Sequence, residues 1–443
     1  MVKKEKIKIL HITAHLGGGV GTVVGGYLKR TNKCNDFSHS VICLDYINPY
    51  SREVLKKQEI EFEENVGTNI SLIYNKIKES DIILIHWWNH PLIFNFLLDQ
   101  NLPDCRMIIW SHVSGLFPPD VFSEKLISLP DLFVFTSPIS FKAKEITNLS
   151  NSLRKKIRTI WSVGENEHLY DLVKISHDNF NVGLTGTVDK SKLHFKYIDM
   201  CNDVNIKEVK FIVCSGDSQE RLKIEASEKG ILEKFDFMGR VESIVPYLQI
   251  FDVFGYPLQP HHFGTCEQSL GEAMLAGVVP VVLNNPTENL IIEDGKDGII
   301  AKSPSEYSRA IEYLKENSEK RNLLSNNAII SAKKRYSLNK TVEAWENAFD
   351  ECLHNPKTKK QWKTFNHLLS GNEVFLASLG NNVTVFEEYK NALNLEADLS
   401  SSIEKIRIFF ESNIIWKSKN KGSIQQYLKF FPNDKLLQNW SEI

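Results

Sequence analysis

The chain has 443 residues, too many for one ordinary hydrophobic core, so we expect two or three domains. Its apolar share of 42% and charged share of 24% are typical of a soluble globular protein. The formal net charge of −2 provides no strongly basic field, and we therefore expect no nucleic-acid partner.

The cysteines and the apolar runs indicate in which compartment the protein lies and whether it has disulfides, a metal site or a membrane helix. The seven cysteines are scattered, without a CxxC pair or a Cys/His cluster, which indicates reduced thiols and predicts no metal site. The apolar run near the start is too short for a signal peptide, and no run reaches the ~20 residues of a membrane helix. We expect a cytoplasmic protein, with peripheral membrane contact left open.

The first part of the chain alternates strands with helices. A β-branched run, "IKILHIT", leads into the glycine-rich "HLGGGVGT" and then into residues with helical apolar spacing. Further apolar strands are predicted at "HSVICLDY", "DIILIHWW", "RMIIWSH" and "DLFVFTS". Short apolar strands between helices predict a parallel sheet covered on both faces.

The same pattern restarts near residue 165, with strands at "NVGLTGT", "VKFIVCSG", "FDFMGR", "FDVFGYPL" and "VVPVVL". We therefore predict two doubly wound α/β domains in tandem, residues 1–164 and 165–336. A helix follows at 337–356, and a polar, basic connector leads into a helical extension at 357–443.

Ligands of an open parallel sheet bind at the carboxyl ends of its strands, so the residues just after each strand are candidate site residues. Gly18, Gly19 and Gly21 follow the first strand, where glycines allow close backbone approach and a helix start attracts anions. The match to the dinucleotide fingerprint GxGxxG is incomplete. A tight turn without a ligand is an equally good interpretation of this loop alone.

The second domain opens in the same way. Gly186 and Thr187 end a strand, and Lys192 follows within reach of anything bound there. A lysine is a point charge suited to a phosphate, although a solvated loop lysine is the alternative. In the first domain His112 follows a strand directly and could hydrogen-bond a substrate hydroxyl or be a purely structural residue.

The stretch "HFGTCEQSLGEAM", residues 262–274, combines a turn, a helix start and two carboxylates. Thr265 and Gln268 fit a capping box, which places Glu267 in the first turn and Glu272 one turn later. Helix-start amides and carboxylates together suit a ligand with phosphates and hydroxyls, such as a nucleotide sugar. For Glu267, a mere complement to the helix dipole is the alternative.

The segment "GEAMLAGVVPVVLNNPTENLIIEDGKDGIIA" resembles the donor-site signature of retaining GT-B glycosyltransferases of family four, the glycosyl transferases group 1. "GGGVGTVV", "TGTVDKSKLH" and "FMGRVESIVPYLQIFDVFGYPL" are similar to other motifs of that family, in the same order. The resemblance covers roughly residues 7–354. It implies the GT-B fold, with two Rossmann-like domains facing a cleft and a helix at 337–356 that crosses back to the N-terminal domain.

The resemblance also implies an activity. A sugar would move with anomeric retention, and without a metal or other cofactor, from a nucleotide donor of the UDP or GDP type to a hydroxyl. The acceptor would be a sugar, a glycan, a lipid-linked compound or a small molecule, in a setting such as polysaccharide biosynthesis.

Site roles carry over position by position. Glu272 matches the glutamate that binds the ribose, Lys192 the basic residue at the diphosphate, and His112 the histidine that contacts the donor sugar. The sugar-holding backbone loop corresponds to Gly264, Thr265 and Cys266. His112, Lys192 and Glu267 are the predicted catalytic residues. The predicted donor-binding residues are Gly18, Gly19, Gly21, Gly186, Thr187, Lys192, Gly264, Thr265, Cys266, Glu267 and Glu272.

Two features depart from the family pattern: the arginine that is usual near "TGT" is absent, and the first glutamate is displaced. The family places its first glutamate eight residues before the second, and here that position is Gly264. Glu267, five residues before Glu272, either takes over the role of holding the sugar or leaves it unfilled.

Three other functions remain open at this stage. A nucleotide-sugar epimerase of the same fold would need no acceptor. An NAD-dependent oxidoreductase would use the glycine loop and Asp45, which follows the second strand. A catalytically silent binding module is the last, because of the change at Gly264.

Overall fold

The computed structural model describes residues 5–32, 36–362, 369–419 and 421–443. The chain divides into two compact units. Unit 1 comprises Met1–Gly164 and Asn339–Ile443, and unit 2 comprises Glu165–Leu338.

Unit 1 is built on a parallel sheet whose strand order is β3-β2-β1-β4-β5-β8-β9, with β6 and β7 forming a separate antiparallel pair. Its strands are β1 Ile7–Thr13, β2 Phe37–Cys43, β3 Glu61–Glu63, β4 Ile82–Trp87, β5 Met107–Ser111, β6 Leu116–Phe117, β7 Asp120–Val121, β8 Leu132–Phe135 and β9 Ile157–Thr159. Its helices up to residue 164 are α1 Gly18–Thr31, α2 Pro49–Lys57, α3 Ile70–Glu79, α4 Pro91–Leu97, α5 Glu124–Ser128, α6 Lys144–Thr147 and α7 Asn151–Arg154.

Unit 2 carries a second parallel sheet, of order β12-β11-β10-β13-β14-β15. Its strands are β10 Phe180–Thr185, β11 Val209–Cys214, β12 Phe235–Gly239, β13 Val253–Tyr256, β14 Val279–Leu283 and β15 Ile299–Ala301. Its helices are α8 Tyr197–Asn202, α9 Glu220–Glu228, α10 Val245–Ile250, α11 Gln268–Leu275, α12 Glu288–Ile291, α13 Pro304–Glu316 and α14 Ser318–Arg335.

Both sheets have the topology of a dinucleotide-binding fold. In each, the chain winds outward in one direction, returns to the centre and then winds in the other, which is the doubly wound order 3-2-1-4-5. The central strands are fully buried, as the continuous apolar runs of β4 and β14 require. The predicted fold class, α/β of GT-B type with two Rossmann-like domains, is confirmed.

Six further α-helices follow unit 2 in the part of the chain that the structure describes. They are α15 Leu338–Leu353, α16 Gly371–Ser378, α17 Thr384–Asn394, α18 Ser400–Glu411, α19 Ile424–Phe430 and α20 Lys435–Ser441. The helices from α16 onward share an aromatic core in which Phe375 contacts Phe386, Tyr427 and Trp440. Aromatic burial of this size contributes strongly to stability, so the extension is a folded part of unit 1.

Asn89, in the loop after β4, anchors the extension to unit 1. Its Oδ1 accepts a 2.8 Å hydrogen bond from the Tyr427 hydroxyl, and its Nδ2 donates to Ser378 Oγ and to the Pro119 carbonyl. All of these groups are buried, where a missing partner would cost about 1–3 kcal/mol. Among the described helices, none has both the length and the apolar character needed to cross a bilayer.

Candidate functional site

The candidate site of unit 2 lies where its sheet reverses direction. Strands β10 and β13 are neighbours, but the chain leaves them toward opposite edges of the sheet, which opens a crevice at their carboxyl ends. Gly186 and Thr187 come directly after β10, and Lys192 follows on the same loop. The loop after β13 runs from residue 257 to the start of α11.

A buried ion pair joins these two loops. Lys192 Nζ lies 2.9 Å from Oε2 of Glu267, whose side chain has no solvent exposure, and the Tyr256 hydroxyl donates to the same oxygen over 2.7 Å. Burial alone would raise the pKa of Glu267, but Lys192 and His262 outweigh it and hold that pKa below its usual range. Glu267 is therefore a buried, ionised carboxylate.

The side chain of Glu267 fills the space beside Gly264. A Cβ added to Gly264 would lie 1.7 Å from Glu267 Oε1, so no larger residue fits position 264 while the carboxylate is there. Oε1 is buried and has no hydrogen-bond partner among the described residues. An acceptor oxygen without a donor among the described residues thus lies beside Gly264.

The predicted N-cap at Thr265 is wrong. Helix α11 begins at Gln268, and its N-cap is Glu267 with φ 41° and ψ 70°, not Thr265. Left-handed backbone at a residue other than glycine is uncommon and costs on the order of 1 kcal/mol. The Glu267 side chain makes no cap hydrogen bond to the helix. The strained backbone directs it toward Lys192 instead.

Hydrogen bonds fix the backbone before α11. The Gly264 N–H donates to His262 Nδ1 over 3.0 Å, so this amide, which we predicted to hold a sugar, is already engaged. The Gly264 carbonyl accepts from the Thr287 hydroxyl, and the Cys266 carbonyl accepts from the Tyr336 hydroxyl. Both Thr265 and Cys266 are buried. The loop is thereby preorganised as a rigid wall of the crevice.

One group of side chains in the described residues has the spacing of a metal site. His262, Glu267 and Glu288 each place a ligand atom within 4.8 Å of the others, and all three are buried. However, His262 Nε2 faces Glu288 at 3.2 Å, and its Nδ1 accepts the Gly264 amide. Lys192 already supplies a positive charge to this cluster.

Glu272 differs from Glu267 in its exposure, its partners and the direction of its pKa shift. It lies in α11 and is half-buried, and its carboxyl group has no ion pair or hydrogen bond among the described residues. Burial raises its pKa to about 7. The carboxyl group of Glu272 is therefore poised between its protonated and ionised forms near neutral pH, and its acceptor capacity is unused.

In unit 1 the glycine-rich stretch forms part of a helix. Gly18, Gly19 and Gly21, predicted as a loop, are the first residues of α1. Gly18 has φ +55°, and a Cβ at Gly18 or Gly19 would meet nothing within 4 Å, so the backbone here is open to a ligand. Gly21 instead packs against Ser51 of α2.

His112 follows β5, as predicted, and ends a row of four histidines across the sheet of unit 1. His39 Nδ1 lies 3.0 Å from His11 Nε2, His11 Nδ1 lies 2.9 Å from His86 Nε2, and His86 Nδ1 lies 3.0 Å from His112 Nε2. They come from β2, β1, β4 and the end of β5, which are adjacent strands. His112 is half-buried and the other three are buried.

Sequence reasoning missed several of these groups. Tyr256, His262 and Glu288 surround Glu267, but none belongs to a spacing pattern that we recognised. His11, His39 and His86 also went unassigned, although an ionisable residue within an apolar strand is itself an unusual signal.

A family model described as "Glycosyl transferases group 1" matches residues 173–331. The predicted resemblance is thereby confirmed, and with it the glycosyltransferase class. No curated protein sequence matches the chain.

Solved structures with the same fold include a glycosyltransferase from Rickettsia africae, 14% identical, with a TM-score of 0.63 over 80% of this chain and 100% of that one. A protein of Anabaena crystallised with UDP-glucose is 17% identical, with a TM-score of 0.63 over 78% of this chain and 99% of that one. A sucrose-phosphate synthase from Thermosynechococcus elongatus is 13% identical, with a TM-score of 0.58 over 79% and 100%.

The histidine row makes unit 1 sensitive to acid. Burial, with a smaller effect from the charge of Lys6, lowers the pKa of His39 to about 3, against about 6.5 in an unfolded chain. Between pH 3 and pH 6.5 only the unfolded state binds a proton at His39. The contribution of the neutral His39 to the free energy of unfolding is therefore fully present above pH 6.5 and is lost as the pH falls toward 3. At pH 5, one such histidine lowers the free energy of unfolding by roughly 2 kcal/mol.

We expect His39→Phe to reduce the loss of stability between pH 7.5 and pH 5.0. Urea unfolding followed by tryptophan fluorescence reports on unit 1 alone, because the tryptophans are residues 87, 88, 110, 161, 345, 362, 416 and 440. His354→Gln, at an exposed position of unit 1, is the control. An unchanged pH dependence in His39→Phe would show that His39 does not exclude a proton on folding.

Proposed function

We propose that this protein, whose residues 173–331 belong to the glycosyl transferases group 1 family, moves a sugar from a nucleotide-sugar donor to an acceptor hydroxyl with retention of anomeric configuration. The transfer proceeds without a metal, in the cytoplasm. The acceptor is a sugar, a glycan or a lipid-linked compound. The family match favours this function over the oxidoreductase that would use Asp45.

The observation that carries the proposal is the placement of Glu267. Its buried Oε1 has no donor in the described residues, and it lies beside Gly264, where the family has its first glutamate. A sugar hydroxyl entering the crevice would supply the missing hydrogen bond. Hydrogen bonds to a charged group contribute about 1.5–3 kcal/mol, so Glu267 would hold the sugar firmly.

Lys192 is suited to the departing phosphate. As the bond to the sugar breaks, negative charge grows on the nucleotide diphosphate, and a preorganised cation aimed at that charge is usually the largest catalytic contribution. Glu267 holds the Lys192 ammonium in place, and the lysine side chain keeps 17% of its surface exposed. Gly186 and Thr187 bring backbone to the same strand end.

Glu272 would bind the ribose. Its carboxyl group is half-buried and unpartnered in the described residues, and two oxygens can accept from two neighbouring hydroxyls. The structures of the Anabaena protein with UDP and UDP-glucose support a uridine nucleotide as the donor. His112 contacts the sugar, and the open backbone at Gly18 and Gly19 admits the donor or acceptor.

Retention is what the family resemblance implies, and without a carboxylate nucleophile it requires the acceptor to attack from the side of the leaving phosphate. Glu267 Oε2 is bound by Lys192 and Tyr256, and Oε1 is assigned above to a sugar hydroxyl, so we assign neither oxygen as a nucleophile. We propose that the acceptor enters on the face from which the phosphate leaves. An epimerase would share the donor site but would turn over without an acceptor, and product analysis separates the two.

The first test is a screen of UDP-glucose and GDP-mannose with candidate acceptors, in buffer containing EDTA. We expect a glycosylated product whose anomeric configuration, determined by NMR, equals that of the donor. An inverted product would exclude retention. Activity that is abolished by EDTA and restored by manganese would exclude the metal-independent mechanism.

The second test concerns Glu272. Ribose hydroxyls donate to the ionised carboxylate, so UDP binding must expel the proton that Glu272 retains below its pKa of about 7. We expect the affinity for UDP to rise roughly tenfold between pH 6 and pH 8, as linkage to such a pKa requires. Glu272→Gln should bind more weakly, with a flatter pH profile in calorimetry.

UDP titrates in the same pH range, and the Gln variant controls for this because it sees the same ligand. Identical profiles for the two proteins would reject the ribose role.

The third test separates catalysis from charge balance at Lys192. Removing one partner of a buried ion pair costs about 3–5 kcal/mol, so Lys192→Met alone would lose stability as well as activity. The double variant Lys192→Met/Glu267→Gln removes both charges and should regain stability. If Lys192 stabilises the leaving phosphate, the turnover of the double variant should remain roughly 10²-fold or more below that of Glu267→Gln alone.

Lys190→Met, in the same loop but exposed, is the matched control. A double variant that turns over as fast as Glu267→Gln would limit Lys192 to balancing the charge of Glu267.

A further inference from the structure

The donors and acceptors of the four histidines in the row of unit 1 can be counted completely. Each neutral imidazole has one N–H donor and one lone-pair acceptor. Three N···N contacts of 2.9–3.0 Å link His39, His11, His86 and His112, and each needs one donor facing one acceptor. Four neutral rings carry four protons, and three of these lie within the row. The fourth must be at one of its two ends.

Only two arrangements satisfy all three contacts. In the first, each Nδ1–H donates toward His112, so His39 Nε2 is a bare lone pair and His112 Nδ1 carries the outer proton. In the second, every proton shifts to Nε2, so His39 Nε2 carries the outer proton and His112 Nδ1 is bare. A mixed arrangement would set two lone pairs or two N–H groups against each other.

The buried end of the row decides between them. His39 Nε2 is buried and has no hydrogen-bond partner in the described part of the chain, and aromatic rings of Tyr27 and Phe349 lie against the imidazole. An orphaned buried N–H is rarer and more costly than an under-used acceptor. The lone pair therefore belongs on His39 Nε2, and the proton belongs on the half-buried His112, where a ligand or water can accept it.

Burial keeps the four imidazoles neutral, as the count of donors and acceptors assumes. It lowers the pKa of His112 to about 3 and, together with neighbouring charges, holds the pKa of His11, His39 and His86 far below the usual range. Ring stacking of His11 on His86 and of His86 on His112, at 15° and 18°, keeps the nitrogens in line.

We propose that His39, His11 and His86 are positioning residues that hold His112 as the Nδ1–H tautomer, so that His112 donates a hydrogen bond to a substrate oxygen and does not act as a general base. Its Nε2 lone pair is occupied by His86, and its Nδ1 has no lone pair to offer. The identity of that oxygen, a hydroxyl of the donor sugar or of the acceptor, rests on the proposed function. The tautomer does not.

The tautomer can be measured without any substrate. In protein labelled with ¹⁵N-histidine, long-range ¹H–¹⁵N correlation spectra distinguish a protonated ring nitrogen from a bare one, and His112→Asn identifies the His112 signals. We expect a protonated Nδ1 and a bare Nε2 in the wild type at pH 7. A protonated Nε2, an imidazolium or a mixture of tautomers would overturn the proposal.

Two variants of the row test what holds the tautomer. His86→Phe removes the donor to His112 Nε2, and we expect His112 to shift toward the Nε2–H form that a solvated imidazole prefers. His39→Phe is the matched control, because His11 Nε2 would then become the bare, buried end and His112 would keep its tautomer. If His112 is unchanged in His86→Phe, or reverses in His39→Phe, the row does not set it.

Kinetics of His112 variants test the donor role. The amide nitrogen of Asn takes the place of Nδ1, whereas Leu has the same size and no donor. If His112 donates a hydrogen bond, His112→Leu should lose roughly tenfold more kcat/KM than His112→Asn, the scale for one hydrogen bond. Equal losses would overturn the donor role. Absence of activity in wild type with every donor would instead count against the proposed function, with the NMR result unaffected.

Discussion

The ion pair between Lys192 and Glu267 is the constraint on which the candidate site of unit 2 depends. A carboxylate without solvent exposure is costly unless a charge and hydrogen bonds compensate it, and here Lys192 and Tyr256 do so at 2.9 and 2.7 Å. The pair joins the loops after β10 and β13, so it also defines the spacing of the crevice. Gly264 must lack a side chain and Glu267 must adopt left-handed backbone because both serve this contact.

Unit 1 follows the same rule with neutral groups. A buried polar side chain needs a partner, and each histidine of the row finds it in the next strand of the sheet. Parallel strands place equivalent positions side by side, so a ring in each of adjacent strands can continue one hydrogen-bonded row. The surplus proton then emerges at the carboxyl end of β5, where His112 is half-buried. In both units the fold places the candidate functional side chains at the carboxyl ends of the strands.

The fold was largely predictable, because period, apolar runs and glycine-ended strands are local signals; β1 and the strand before His112 lie where expected. The start of α11 was not. Thr265 and Gln268 fit a capping box by sequence, but α11 begins at Gln268 with Glu267 as its N-cap, and the side chain of Glu267 pairs with Lys192. The same holds for His262, whose partners Gly264 and Glu288 become evident only when two loops are folded together. Contacts between residues that are far apart in the chain produce no spacing pattern that the sequence alone could reveal.

Two carboxylates five residues apart thus end in opposite states. Lys192 holds the pKa of Glu267 below its usual range despite burial, whereas Glu272 has no countercharge and burial raises its pKa to about 7. Groups whose environments drive their pKa values apart commonly divide the work of a site. A permanently ionised Glu267 can hold a sugar and orient a cation through the whole reaction. A Glu272 that is only partly ionised near neutral pH would instead couple donor binding to loss of its remaining proton, which suits a group that must release the spent nucleotide.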